Sequence, residues 1–284
     1  MYLEFYGLQR KPFSKTPDPE FLYRSRQHAE ALARLSHALE EREVAVLTGD
    51  IGAGKTTLSR ALVDAYADRC RFSFVLNPAL PPAQLLSAIA QGFGLVSQFS
   101  GTRKVDVFGA LGEFAARLDA EGKFAVVVVD EAQLLAGRAA YDELRLLGNL
   151  AADDRPLLGL VLVGQPELRE RLGARGGEAF AQRVGVAFHL GPLDVSDTAR
   201  YLEHRLAVAG RTAPLFAPGA VEAIHRLSGG LPRRVNQLAA GALLEGFARG
   251  AATLSAEVVE AVEADLAPGL NQARAHMGSA RTAG

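Results

Sequence analysis

The chain has 284 residues, 49% of them hydrophobic, with 31 Lys+Arg against 32 Asp+Glu for a formal net charge of −1. That length supports one sizeable domain or two modest ones, and the near-zero charge excludes a global pull toward nucleic acid or an anionic membrane. The single cysteine, Cys70, excludes an internal disulfide and suits a reducing cytoplasm.

Taken in chain order, residues 1–43 read as an aromatic and proline-rich leader followed by a first helix. "MYLEFYGLQRKPF" carries charges and a proline where a signal peptide needs an apolar core. Phe13, Pro17, Phe21 and Tyr23 form a stiff apolar segment, expected to pack over a sheet edge. Short apolar runs then alternate with helical stretches: "VAVLT" (44–48), "RFSFVL" (71–76), "FAVVVVD" (124–130), "LLGLVLVG" (157–164) and "VAFHL" (186–190). Near-continuous apolar strands separated by helices predict a parallel sheet covered on both faces. The longest clean run, "FAVVVV", is far short of the roughly 20 residues of a membrane span. These features predict a soluble, cytoplasmic protein.

After Pro192 the pattern turns helical, with helices predicted at 194–209, 217–227, 232–248 and 255–265. The expected division is therefore an α/β domain over 1–192, a small all-helical domain over 193–266, and a disordered tail over 267–284, where the apolar pattern stops.

Chemistry concentrates at the ends of the strands. "GDIGAGKTT" follows the first strand and opens a helix, matching G-x-x-x-x-G-K-[ST]. Gly49, Gly52 and Gly54 let the backbone N–H groups of Asp50, Ile51, Ala53 and their neighbours turn inward around phosphate oxygens. The helix N-terminus through Thr57 adds its dipole. Lys55 suits the β- and γ-phosphates, and Thr56 suits a Mg²⁺ ion. "VVVVDEA" puts Asp130 and Glu131 at the end of a doubly buried strand, where carboxylates are costly without a purpose. Asp130 can complete the Mg²⁺ shell and Glu131 can polarise an attacking water.

Gln165, at the end of "LLGLVLVG", is either a sensor of the γ-phosphate and its water or an ordinary loop residue. Arg183, just before the last strand, either reaches a neighbouring subunit's γ-phosphate or satisfies a helix C-terminus. Arg169, Arg171 and Arg175 read as surface charges. In "SGGLPRR" (228–234), Gly229 and Gly230 suit a helix end and Pro232 a new first turn. Cations in that turn cost roughly 0.3–1 kcal/mol each, so an anion such as a triphosphate would relieve the conflict. Arg233 is the candidate nucleotide contact and Arg234 reads as surface. His28, His37, His189, His204, His225 and His276 show no metal-ligand spacing, so Mg²⁺ with nucleotide is the one metal indicated.

Together these motifs resemble the AAA+ ATPases, a P-loop NTPase α/β fold with a helical lid. The closer resemblance is to the general secretion pathway protein A (ExeA-type) family, carried by "MYLEFYGLQRKPFSKTPDPEFLYRSRQHAEAL", "LVGQPEL", "QR", "LGPL" and "SGGLPRRVN" across residues 1–265. The resemblance implies that Lys55, Thr56, Asp130 and Glu131 bind and hydrolyse ATP with Mg²⁺. It also implies that Gln165 is a first sensor, Arg183 a finger acting in trans, and Arg233 a second sensor. It favours an adenine pocket walled by the leader, against plain core packing. Full-length members continue into a membrane span and a peptidoglycan-binding domain, and this chain ends soon after the lid. It is thus more similar to short members serving type IV pili or exopolysaccharide export, any attachment to the inner membrane coming through a partner.

Three functions follow. The first is an ATPase that assembles into a ring or filament and remodels an envelope-associated machine. The second is an ATP-dependent DNA-binding regulator of the transposition-regulator type, against which the absence of a Lys/Arg run counts. The third is a switch that binds ATP and hydrolyses it slowly.

Overall fold

A computed structural model describes residues 1–14, 18–95 and 103–266. Pro17 and the tail from 267 onward lie outside the described residues. In chain order the elements are α1 (Tyr2–Phe5), α2 (Arg26–Glu40), β1 (Val44–Gly49), α3 (Lys55–Tyr66), β2 (Cys70–Val75), α4 (Pro82–Gly92), α5 (Lys104–Ala120), β3 (Phe124–Val129) and α6 (Gly137–Leu147). There follow β4 (Ala151–Ala152), β5 (Arg155–Pro156), β6 (Leu158–Gly164), α7 (Glu167–Gly173), α8 (Glu178–Ala181), β7 (Val184–Leu190), α9 (Val195–Val208), α10 (Pro218–Ser228) and α11 (Pro232–Ala248). A last helix, α12, occupies 256–266. Two compact units result: Arg26–Gly191, and Met1–Ser25 together with the chain from Pro192 onward. No helix among the described residues is long and apolar enough to cross a membrane.

The first unit is built on a five-stranded sheet of order β2-β3-β6-β1-β7, every ladder parallel. All five strands fall on the predicted apolar runs. β1, β3 and β6 are buried at every residue, as strands covered on both faces must be. One face packs on α4, α5 and α6 through Leu86, Ile89, Leu111, Leu144 and Leu147. On the other side α2 lies against β1 and β7, and α3 against β1 and β6. The short β4–β5 hairpin has no counterpart in the sequence reading. Its two-residue turn, Asp153-Asp154, has φ of +48° and +59°, the primed geometry that hairpins prefer.

The second unit is helical, and α9 to α12 match the predicted helices to within two residues. α10 ends on Gly229 (φ +60°), and Gly230 follows at φ +71°. A Cβ on Gly230 would stand 2.1 Å from the Leu193 carbonyl oxygen, so only glycine fits there.

The leader belongs with the helical unit. Of the two readings, core packing is the one seen: Phe13 and Phe21, with Tyr6 and Leu8, enter the core of the helical unit, against Tyr201, Phe216 and Leu243. The cause is Arg205, a buried cation on α9. Its Nε donates to the Pro12 carbonyl at 2.6 Å, its Nη1 donates to the Tyr201 hydroxyl at 3.0 Å, and its guanidinium lies 4.9 Å from the Phe21 ring centroid. A buried guanidinium must find acceptors, and the leader backbone supplies one. Tyr23 joins the same unit by donating to Asp197 at 2.8 Å, and burial with that bond pushes its phenol up to about 12.

Below the sheet, Asp119 at the end of α5 is gripped by Arg42 at 2.7 Å and Arg155 at 2.6 Å, with Arg42 and Asp119 only 10% and 13% exposed. Arg42 also donates to the Pro156 carbonyl and lies over the Phe124 ring. The Arg42 guanidinium beside it holds the Asp119 carboxyl below its ordinary value of 3.8. A depressed folded value means stability that is present above the unfolded value and lost as pH falls through the folded one. Asp119→Asn is therefore expected to lower stability at pH 7 by about 1.5–3 kcal/mol. The gap to wild type should begin to narrow below about pH 4 and go on narrowing as pH falls through the folded value, as a series of urea midpoints from about pH 7 down to about pH 2 would reveal.

Candidate active site

The sheet order decides what can meet. β6 lies between β1 and β3, so the carboxyl ends of three adjacent parallel strands present Gly49, Gln165 and Asp130 side by side, about 5 Å apart per strand. α/β sheets bind ligands at this end.

The loop after β1 turns on glycines. Gly52 and Gly54 have φ of +86° and +105°, and a Cβ on Gly49 would stand 2.5 Å from the Leu190 carbonyl oxygen. Gly54 is the N-cap of α3 and brings no side-chain cap bond. Lys55 Nζ donates to the Gly49 and Asp50 carbonyls at 2.6 and 3.0 Å. Asp50, Ile51 and Thr56 are exposed, Thr57 is half-buried, and Ala53 is buried under the loop. An uncapped helix start, an inward-turned glycine loop and a lysine on its rim fit a phosphate chain.

Asp130 and Glu131 follow β3. The Asp130 N–H is tied to the Val75 carbonyl, and its Oδ1 accepts from the Glu131 N–H at 2.8 Å. Burial raises the Asp130 carboxyl above its ordinary value. The Glu131 N–H bond pulls it down, the Glu131 charge pushes it up and Lys55 pulls it down. A carboxylate kept partly dry beside a lysine, one strand past the loop's own neighbour, fits a divalent cation. Glu131 sits in left-handed backbone, φ +49° and ψ +37°, a strained position for a residue with a side chain. Its Oε2 accepts from Gln165 Nε2 at 3.2 Å and from Gln133 Nε2 at 2.6 Å.

Lys55, Thr56, Asp130, Glu131 and Gln165 thus share one end of the sheet. Arg183 does not. Val184 pairs with Val44 at the start of β1, whereas Leu190 pairs with Gly49, so Arg183 stands roughly 20 Å of strand below the glycine loop. There its Nη1 donates to the Gly148 carbonyl at the end of α6 at 3.1 Å. Arg233 lies in the helical unit, exposed in the first turn of α11. Arg234 differs from its surface reading: it is half-buried and bonds Glu263 on α12 and Gln237.

Two residues escaped the sequence reading. Gln133 is buried in the Ala132–Leu134 turn, touching both Glu131 and the tip of β6. His28 on α2 is buried, and its Nε2 would meet a Cβ on Gly54 at 3.0 Å. Neither type nor spacing singles out a lone glutamine or a lone histidine on an amphipathic helix.

An AAA domain family model matches residues 37–172. General secretion pathway protein A of Aeromonas hydrophila is 42% identical over 252 residues, which are 88% of this chain and 46% of that protein. The chain thus spans about half the length of the curated relative it matches. Among solved structures, the ORC2 protein of Aeropyrum pernix in ADPNP–ADP complexes is similar with a TM-score of 0.67 at 23% identity, over 90% of this chain and 71% of that one. Drosophila ORC bound to DNA gives 0.66 at 16% identity, over 91% and 65%. The RuvB Holliday junction branch migration motor of Thermotoga maritima gives 0.53 at 19%, over 83% and 65%. At these identities the structural likeness establishes the fold.

Asp130 offers a test of the electrostatics. A carboxyl whose folded value is raised subtracts stability once pH exceeds the unfolded value, and the full cost stands above the folded one. Asp130→Asn is expected to raise the nucleotide-free melting temperature at pH 7 by a few degrees, while weakening Mg²⁺-dependent ATP binding. Differential scanning calorimetry and a fluorescent-nucleotide titration with and without Mg²⁺ measure the two effects.

Proposed function

We propose that this chain, which matches an AAA domain model over residues 37–172 and is similar over most of its length to General secretion pathway protein A, is an AAA ATPase that hydrolyses ATP to drive assembly or remodelling of an envelope-associated system. The observation that carries the reading is the convergence of the glycine loop, Lys55, Asp130, Glu131 and Gln165 at one end of the sheet.

Backbone N–H groups of residues 50–57 and the Lys55 ammonium bind the phosphates, and Thr56 with Asp130 holds the cation. When bound, ATP would supply the anhydride to be cleaved, and its Mg²⁺ the positive charge that offsets the half-buried Asp130 carboxylate. Glu131 orients a water and takes its proton, and the Gln165 amide reports the γ-phosphate to the same carboxylate. Phosphoryl transfer needs mainly positioning and charge compensation, and these groups supply both.

Arg183, on the far side of its own sheet, serves a neighbouring copy's nucleotide as the protein self-associates into a ring or filament. Arg233 contacts nucleotide from the lid and couples its presence to lid position. The name of the relative supports a secretion-type setting, and the proposal extends to pilus biogenesis or exopolysaccharide export. The working location is the cytoplasm, peripheral to the inner membrane through a protein partner.

Lys55→Ala is expected to abolish ATP binding. Glu131→Gln should retain it, lower kcat by about 10²–10⁴ and favour oligomers in light scattering. An unchanged ATPase rate in both overturns the assignment. Arg183→Ala should be inactive alone and partly rescued when mixed with Lys55→Ala protein, since only a trans finger lets two dead subunits make a live interface. ATP-dependent retention of duplex DNA at physiological salt would instead favour the DNA-bound regulator.

A further inference from the structure

We infer that Gln133 is a positioning residue for ATP hydrolysis, acting through Glu131 and tying that carboxylate to the tip of β6. Gln133 is 7% exposed, and both ends of its carboxamide are committed. Nε2 donates to Glu131 Oε2 at 2.6 Å, and Oε1 accepts the backbone N–H of Gln165 at 3.0 Å. The side chain of Gln165 donates to the same Glu131 oxygen at 3.2 Å. Glu131, Gln133 and Gln165 therefore close a ring of hydrogen bonds spanning β3 and β6.

Room for the ring is built into β6. A Cβ on Gly164 would stand 2.8 Å from Gln133 Oε1 and 3.0 Å from the Leu168 side chain. A larger residue there would displace the carboxamide. The ring also explains why a glutamate in left-handed backbone keeps a defined direction: its φ of +49° turns the side chain away from the line of β3, and two amides hold it. Oriented groups in a site lose about 10²-fold in rate when misplaced by an ångström. Gln133 touches neither nucleotide nor cation in this scheme; it fixes the angle of Glu131 and makes that angle follow the strand tip that carries Gln165.

The inference rests on Glu131 being the water-activating group, and the test separates the two. Gln133→Met, which keeps volume and removes both bonds, is expected to lower kcat about 10- to 100-fold with nucleotide affinity and KM within about twofold. In a Glu131→Gln background the same change should cost nothing further in single-turnover rate, because it acts only through that carboxylate. Gln133→Glu keeps the acceptor for the Gln165 N–H but loses the donor to Glu131, and should show the same kcat loss if Gln133→Met fails to fold. Fluorescent-nucleotide titration and nucleotide-free melting curves accompany each variant. A normal kcat in Gln133→Glu, a parallel loss of affinity, or an additive loss in the Glu131→Gln background overturns the inference. If Glu131→Gln itself hydrolyses ATP normally, the reading of Glu131 fails instead.

Discussion

The constraint on which the rest depends is the insertion of β6 between β1 and β3. With that order the glycine loop and the acidic pair are separated by one strand rather than adjacent, leaving a gap about 10 Å wide at the sheet's carboxyl end. The tip of β6 fills the floor of the gap, and Gln165 is the residue that fills it. A parallel ladder makes the arrangement rigid, since Thr48 pairs with Gly164 and Val129 with Leu162 in one continuous register. Strands buried on both faces carry no in-and-out alternation to lock register. Close backbone approaches do part of that work here: Gly49 against the Leu190 carbonyl is one, and Gly164 against Leu168 and Gln133 is another.

Much of this was legible in the residues because the signals are local. Five apolar runs became the five strands of the main sheet, and the glycine-lysine loop and "VVVVDEA" stand where strand ends had to be. The helix after "SGGLP" begins on Pro232, as a proline at a first turn requires. What was not legible depends on contacts between distant segments. Strand order is one such contact, because nothing in "LLGLVLVG" says which neighbours it takes. Arg234 is another: its partner Glu263 lies 29 residues further on, and sequence spacing gave no sign of it. Gln133 was missed for the same reason, its function being defined by the β6 tip 32 residues away.

The leader shows how a buried charge can override a reasonable pattern argument. Aromatics spaced by prolines fit a sheet edge as well as any other apolar surface, so the deciding interaction is polar. Arg205 occupies a position on α9 one turn past Tyr201, within an otherwise apolar stripe, and it is 8% exposed. Without acceptors such a cation would unfold its helix from the core. The Pro12 carbonyl, the Tyr201 hydroxyl and the faces of Phe21 and Tyr201 satisfy it. Arg211 repeats the device by donating to the Tyr6 carbonyl at 2.7 Å, and Tyr6 in turn donates to Ala251. Tyr6, Leu8, Phe13 and Phe21 are thereby part of the helical unit's core, so changes at Phe13 or Phe21 act first on that unit's stability.

The strained backbone of Glu131 ties these themes together. A left-handed residue with a side chain costs on the order of 1–3 kcal/mol and persists only where its surroundings over-determine it. Here the Glu131 N–H is held by Asp130 Oδ1, its carbonyl accepts from Leu134 N–H at 2.8 Å, and its carboxylate is held by Gln133 and Gln165. At about 0.5–1.5 kcal/mol net per hydrogen bond, and more for those to a charge, these contacts exceed the strain. A relaxed extended residue at 131 would continue the direction of β3 and carry its carboxylate past the sheet end. The strain is what bends it back to the tip of β6, beside the strand that ends at the glycine loop. Geometry at the carboxyl end of the sheet is therefore set by hydrogen bonds between strand tips, while the apolar runs of the sheet only bring those tips into line.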